Sequence, residues 1–283
     1  MKRVLIALLA VGLLAACASP LAKQETPQQA VAAAASRATQ LHSARFDLQG
    51  HVNLTFPPQL ASLFAQSGAT AGSFALDLSG NGEAQFPDRY HALINAKLGG
   101  VAIGSEVVSV AGTAYVKNPV NGKWTASSVP GGITGQLNQP DPLSYAQLLK
   151  NVKSIKNLGD TTINGTAVHH YQLIPDKEKL LAGASTGSSS KDAQAQANLK
   201  QVLDNGTMTI EVWFGKDDHL VRRLQTDADY HIDLGQLMSS LGTGSAGSSS
   251  RVPTGSNIHA VAHMVINYHD FDSQVTITVP TVS

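Results

Sequence analysis

Strict alternation of apolar and polar residues constrains this chain more than any other feature of its sequence. From Arg45 to Phe56 the apolar residues Phe46, Leu48, Val52, Leu54 and Phe56 fall on even positions, and Arg45, Asp47, Gln49, His51, Asn53 and Thr55 fall between them. Successive side chains of a strand point to opposite faces, so a period of two predicts a strand with one buried and one wet face. A second run repeats the pattern, with Phe74, Leu76, Leu78, Gly80, Gly82, Ala84 and Phe86 set against Asp77, Ser79, Asn81, Glu83 and Gln85. After Pro87-Asp88, a turn signal, Tyr90, Ala92, Ile94, Ala96 and Leu98 continue the apolar face. Half-wet strands joined by short turns imply an antiparallel meander, because parallel strands are covered on both faces and read as unbroken apolar runs.

The rest of the chain extends this scheme. Val101 to Val116 and Lys123 to Ser128 are expected strands, and Asp160 to Ile174 is an expected hairpin turning at Asn164-Gly165, a strong two-residue turn signal. Thr207 to Phe214, Leu220 to Ile232, Ile258 to His269 and Gln274 to Val279 complete the strands. Helical spacing appears in Gln28 to His42, opened by Pro27, and in Pro142 to Val152. Lys177 to Leu203 is expected to be helical at both ends, interrupted at Gly183 to Ser190. Ser239 to Asn257, rich in Gly and Ser, reads as a loop. The fold class is α+β: a curved antiparallel β-sheet, or half-barrel, with helices packed on its concave face. No composition break divides residues 28–283, which are expected to form one domain.

The N-terminus points to export. Lys2-Arg3 precedes an apolar run from Val4 to Ala16, shorter than the roughly 20 residues a membrane-crossing helix needs. Residues 1–16 are therefore expected to be a signal peptide. Leu14-Ala15-Ala16-Cys17 resembles the lipobox of bacterial lipoproteins, in which the cysteine sulfur takes a diacylglyceryl thioether and the chain is cleaved immediately N-terminal to that cysteine. Cys17 is the only cysteine, so the reading leaves no thiol for a disulfide or a nucleophile. Residues 17–27 would form a lipidated tether, holding the folded part at the outer leaflet of the bacterial cell membrane.

Strand parity also nominates a cavity. Small residues recur at inward positions, among them Gly80, Gly82, Ala84, Ala92, Ala96, Ala228, Ala260 and Ala262, while aromatic residues make up only 5% of the chain. Such a face leaves volume unless helices approach closely or a ligand fills it. The expected lining is Phe46, Leu48, Val52, Leu54, Phe74, Leu76, Leu78, Tyr90, Ala92, Ile94, Ile210, Val212 and Leu224. The alternative is a closed core of Ala-rich helices on Ala/Gly strands, serving a non-catalytic envelope interaction module.

Other chemistries find little support. Charged residues are 14% of the chain, with 20 basic and 20 acidic, and no basic cluster suited to nucleic acid. No nucleophile elbow, His-Glu-x-x-His pair or phosphate loop occurs, so no catalytic residue, cofactor or metal is expected. His259 and His263 lie four residues apart on one strand, about 13 Å, too far to share one ion.

Two segments carry a wider resemblance: Trp213 to Leu224, a strand, an acidic turn at Asp217-Asp218 and a strand with Arg222-Arg223, and Tyr268-His269-Asp270-Phe271-Asp272, running into Val275 to Pro280. With the lipobox, the tether, one helix and the long strand series, they resemble the LppX/LprA/LprF/LprG family of actinobacterial lipoproteins, whose fold is similar to the LolA/LolB lipoprotein carriers. The resemblance implies a half-barrel that holds acyl chains of a lipid or glycolipid and moves it through the envelope, with an envelope transporter as an expected partner. It also implies a final hairpin at the C-terminus.

Overall fold

A computed structural model describes residues 25–57, 72–98, 101–128, 149, 151–184, 200–201, 203–233 and 257–282. The strands are β1 (Ser43–Thr55), β2 (Ser73–Gln85), β3 (Arg89–Leu98), β4 (Val101–Val110), β5 (Thr113–Lys117), β6 (Trp124–Ser128), β7 (Val152–Ile163), β8 (Thr166–Pro175), β9 (Gly206–Gly215), β10 (Val221–Asp233) and β11 (Asn257–His269). All eleven belong to one open, curved antiparallel sheet in the order β6-β5-β4-β3-β2-β1-β11-β10-β9-β8-β7. It is two meanders, β1 to β6 and β7 to β11, joined where the first strand pairs with the last. That seam runs unbroken from Arg45↔His269 to Thr55↔His259.

Most strands form where alternation places them, and the departures have local causes. The expected strand Val101 to Val116 is two strands, because Ala111 (φ 48°) and Gly112 (φ 77°) both adopt the left-handed region of a tight hairpin turn. The Asn164-Gly165 turn has the same geometry, with φ of 49° and 82°. β7 begins at Val152, where the sequence suggests the end of a helix. Val152, Ile155 and Leu158 recur every three residues, a helix-like spacing, yet bulges between Val152 and Ser154 and between Asn157 and Gly159 reset the strand's parity. Of the expected helix, Leu149 is helical and residues 142–148 lie outside the described residues.

Gln274 to Val279 is not a strand, and the expected final hairpin does not form. β11 already pairs with β1 on one side and β10 on the other, so no edge remains for a strand that follows it. The segment is fixed otherwise: Ile277 is buried, and its carbonyl accepts a hydrogen bond from Arg89 Nη1 at 3.0 Å. The Gly/Ser-rich stretches lie largely outside the described residues.

Helix α1 (Pro27–Ala38) ends at Ala38 rather than His42. Thr26 and Gln29 form a reciprocal capping box at its start. Ala30, Val31, Ala34, Ala35 and Ala38 form its buried stripe. This stripe belongs to one buried cluster with Phe46, Tyr171, Leu173, Ile210, Val212, Phe214, Leu224, Ile266 and Tyr268 of the sheet. Tyr171 stacks on Phe214 at 5.3 Å, and Phe46 lies tilted against Tyr268 at 6.4 Å. A second helix, α2 (Lys177–Ala184), follows β8 and carries buried Leu180 into the same cluster; it runs through Gly183, where a break was expected.

Candidate functional site

The register of the seven central strands arranges the apolar face in transverse rows. Nearest α1 are Ala92, Gly82, Phe46 and Tyr268, then Ile94, Gly80, Leu48, Ile266, Leu224, Val212 and Tyr171. One step further come Ala96, Leu78, Gly50, Met264, Thr226, Ile210 and Leu173. The last two rows are Leu76, Val52, Ala262, Ala228 and Met208, followed by Phe74, Leu54, Ala260, Tyr230 and Gly206.

Burial divides the thirteen residues nominated by parity. Phe46, Tyr90, Ala92, Ile210, Val212 and Leu224 are buried in the core at or near α1. Leu48, Val52, Leu54, Phe74, Leu76, Leu78 and Ile94 are only half-buried. In the last two rows every residue except Ala260 is half-buried, among them Met208, Ala228, Tyr230 and Ala262, none of which is in the nominated lining. Met208 could have been found from the parity of β9, which it shares with Ile210 and Val212. Five strands spaced about 4.8 Å apart make each of these rows roughly 19 Å long, and neighbouring rows lie about 6.7 Å apart.

The small inward residues do not all leave space. A Cβ built on Gly82 would stand 2.5 Å from Phe46 Cζ and 2.5 Å from the His91 carbonyl oxygen, so the Phe46 ring and the neighbouring strand already occupy that position. A Cβ on Gly206 would meet Tyr230 Cδ1 at 2.0 Å. The same burial pushes the Tyr230 phenol pKa up. At Gly50, in contrast, an added Cβ would make only ordinary contacts, with Leu78 Cβ at 3.4 Å.

The opposite face is a lattice of histidine–carboxylate pairs. His51 Nδ1 meets Asp77 at 2.6 Å, His263 Nδ1 meets Asp227 at 2.6 Å, and His259 Nε2 meets Asp229 at 2.7 Å. His169 and His170 point to opposite faces, as parity requires: His169 pairs with Asp160 and packs near Phe214, whereas His170 stacks on Trp213 at 4.1 Å and pairs with Glu211. Hydrogen bonds from Lys216 and then His169 hold the Asp160 carboxyl below its usual range. Burial pushes the Asp227 carboxyl up, but hydrogen bonds from His263 and Gln225 outweigh it and the net shift is downward. Asp217 and Asp218 lie in the turn between β9 and β10, where Asp218 pairs with Arg222 at 2.5 Å. These carboxylates are engaged in pairs and turns, as partly exposed surface groups are.

Among the described residues, hollows of about 350, 400 and 460 Å³ open mainly on this polar side. The largest lies under Thr276 to Pro280, beside Glu83, His91 and Glu106. Their walls carry charged residues, so they are not the apolar cleft the sequence suggests.

No protein-family model and no curated protein sequence matches the chain. Among solved structures, it is similar to the Mycobacterium tuberculosis lipoprotein LppX at 13% identity, covering 89% of this chain and 98% of that one, with a TM-score of 0.43. It is similar to LprF from Mycobacterium bovis at 15% identity, covering 90% and 96%, with a TM-score of 0.40. A LolA superfamily protein from Nitrosomonas europaea shares 9% identity, with coverage of 89% and 94% and a TM-score of 0.26. The chain is similar, at low identity, to LppX and LprF lipoproteins and to LolA-superfamily proteins.

Proposed function

We propose that this protein is a membrane-anchored envelope lipoprotein that shelters acyl chains of a lipid or glycolipid on the end of its apolar face remote from α1. The observation that carries the reading is the pair of half-buried rows, Leu76 to Met208 and Phe74 to Gly206. Side chains there are apolar or small across five strands, and roughly 0.8 kcal/mol per buried CH₂ favours bringing hydrocarbon against them. Chain length then governs affinity more than the head group does. Anchorage through acylated Cys17 would keep this face close to the membrane that supplies the lipid, and delivery onward would need an envelope transporter.

The test is native mass spectrometry of the full chain, released from detergent, with organic extraction of what copurifies. The expected result is a bound species bearing acyl chains, lost when Ala262 or Ala228 is replaced by Trp. A chain that carries no lipid from envelope extract, with both Trp variants clearly less stable than the parent, overturns the carrier reading in favour of a closed-core interaction module. Anchoring is tested separately: Cys17→Ser is expected to release the protein from membranes, and its persistence there after a salt wash would contradict attachment by acyl chains.

A further inference from the structure

We infer that the polar face holds a divalent-cation site of the zinc class, formed by Asp229 and His231 of β10 and His259 of β11. The ligand atoms of the three side chains all lie within 4.8 Å of one another. His231 and His259 are directly opposed across the β10–β11 pairing, and their rings stack at 4.6 Å with 17° between planes. Asp229 is two residues before His231 on the same face and reaches diagonally to His259 Nε2 at 2.7 Å.

His231 stands apart from the other histidines. Nine of the ten pair with a carboxylate: His42, His51, His91, His169, His170, His219, His259, His263 and His269. Among the described residues His231 instead lies face to face with His259. Two neighbouring imidazoles and one carboxylate match the nitrogen and oxygen donors that zinc and similar borderline cations prefer, whereas calcium and magnesium favour oxygen alone. Bonds of about 2.0–2.1 Å in a tetrahedral arrangement need ligand atoms about 3.3 Å apart, within reach of side-chain rotation from the present spacing. Three protein ligands leave one position for water.

The ion would clamp the end of β10 to the start of β11. Tyr230 lies between Asp229 and His231, and Ala260 follows His259, so the clamp sits directly behind the half-buried row on the other face. The site does not depend on the lipid reading, since its ligands point away from that row.

The test is titration of the full, tag-free chain carrying Cys17→Ser, so that no thiol competes, with Zn²⁺ alone, followed by calorimetry and by nitrogen NMR of the histidine rings. The expected result is one zinc per chain, with His231 and His259 resonances moving first, and affinity about tenfold or more weaker in His231→Gln and in His259→Gln. His263→Gln, four residues along the same strand face, is expected to leave affinity within about twofold of the parent. The NMR readout on the parent chain stands even if a variant folds poorly. Loss of affinity in His263→Gln equal to that in His231→Gln would show scattered binding to surface histidines and overturn the site. So would ring shifts that leave His231 and His259 unmoved.

Discussion

The two ends of the apolar face have the same strand chemistry and opposite fates. Near α1, Phe46, Tyr171, Val212 and Phe214 are at most 2% exposed, and an alanine stripe brings the helix down onto them. At the far end, Val52, Leu54, Phe74 and Leu76 alternate just as strictly yet remain half-buried. Alternation therefore identifies the face and not its cover. What separates the ends is the short reach of a helix whose buried residues span only Ala30 to Ala38.

The sharpest way to break this comparison is to truncate one aromatic at each end. Phe46→Ala is expected to cost about 3–5 kcal/mol in chemical denaturation, whereas Phe74→Ala should cost less than half of that. Equal losses would mean the far end is as tightly built as the near one. Gly82→Ala tests the same difference with a single methyl group: the Phe46 ring and the His91 carbonyl stand in its way, for an expected cost of about 1–3 kcal/mol. The same change at Gly50, where contacts are ordinary, should cost under about 1 kcal/mol.

A Trp scan along the face sharpens the contrast further. Ala92→Trp inserts a large ring into a residue that is 8% exposed and should lower the denaturation midpoint, as overpacking does at about 1–3 kcal/mol. Ala262→Trp should stay within about 1 kcal/mol of the parent while abolishing bound lipid.

The smallest expected effect belongs to two partly exposed carboxylates, Asp160 at the sheet edge and Asp227 on the polar face. Asp160 and Asp227 have pKa values lowered by folding, so their contribution is present above the unfolded carboxylate range, about pH 4, and is lost as pH falls through their lower folded values. Both are partly exposed, so each is worth under about 1 kcal/mol. Urea midpoints should hold steady from neutral pH to about pH 5 and fall below about pH 4, with Asp160→Asn showing a shallower fall. A midpoint that rises on acidification would contradict these pairs.

Much of the fold was legible because it is local. Phe46 to Phe56 and Phe74 to Leu98 reveal their strands, their inward faces and their turns through neighbours no more than a few residues away. The misses share a cause. Val152 to Gly159 is an edge strand with two bulges, so it needs no alternating face and shows a helix-like spacing instead. Gln274 to Val279 alternates well enough to be a strand, but β1 and β10 have already taken both sides of β11. For the candidate site, parity put the right residues on one face and could not divide buried Ala92 from half-buried Val52, because that depends on where α1 lands.

By itself the sequence determined the period of two, hence an antiparallel sheet with one greasy and one wet face. This is written in adjacent residues and follows from how a strand presents them. Only the tertiary structure decided that β1 pairs with β11, across more than 200 residues, and with it which side chains share a row. That same assembly set His231 opposite His259, since register between distant strands comes from whole meanders meeting rather than from any spacing along one of them.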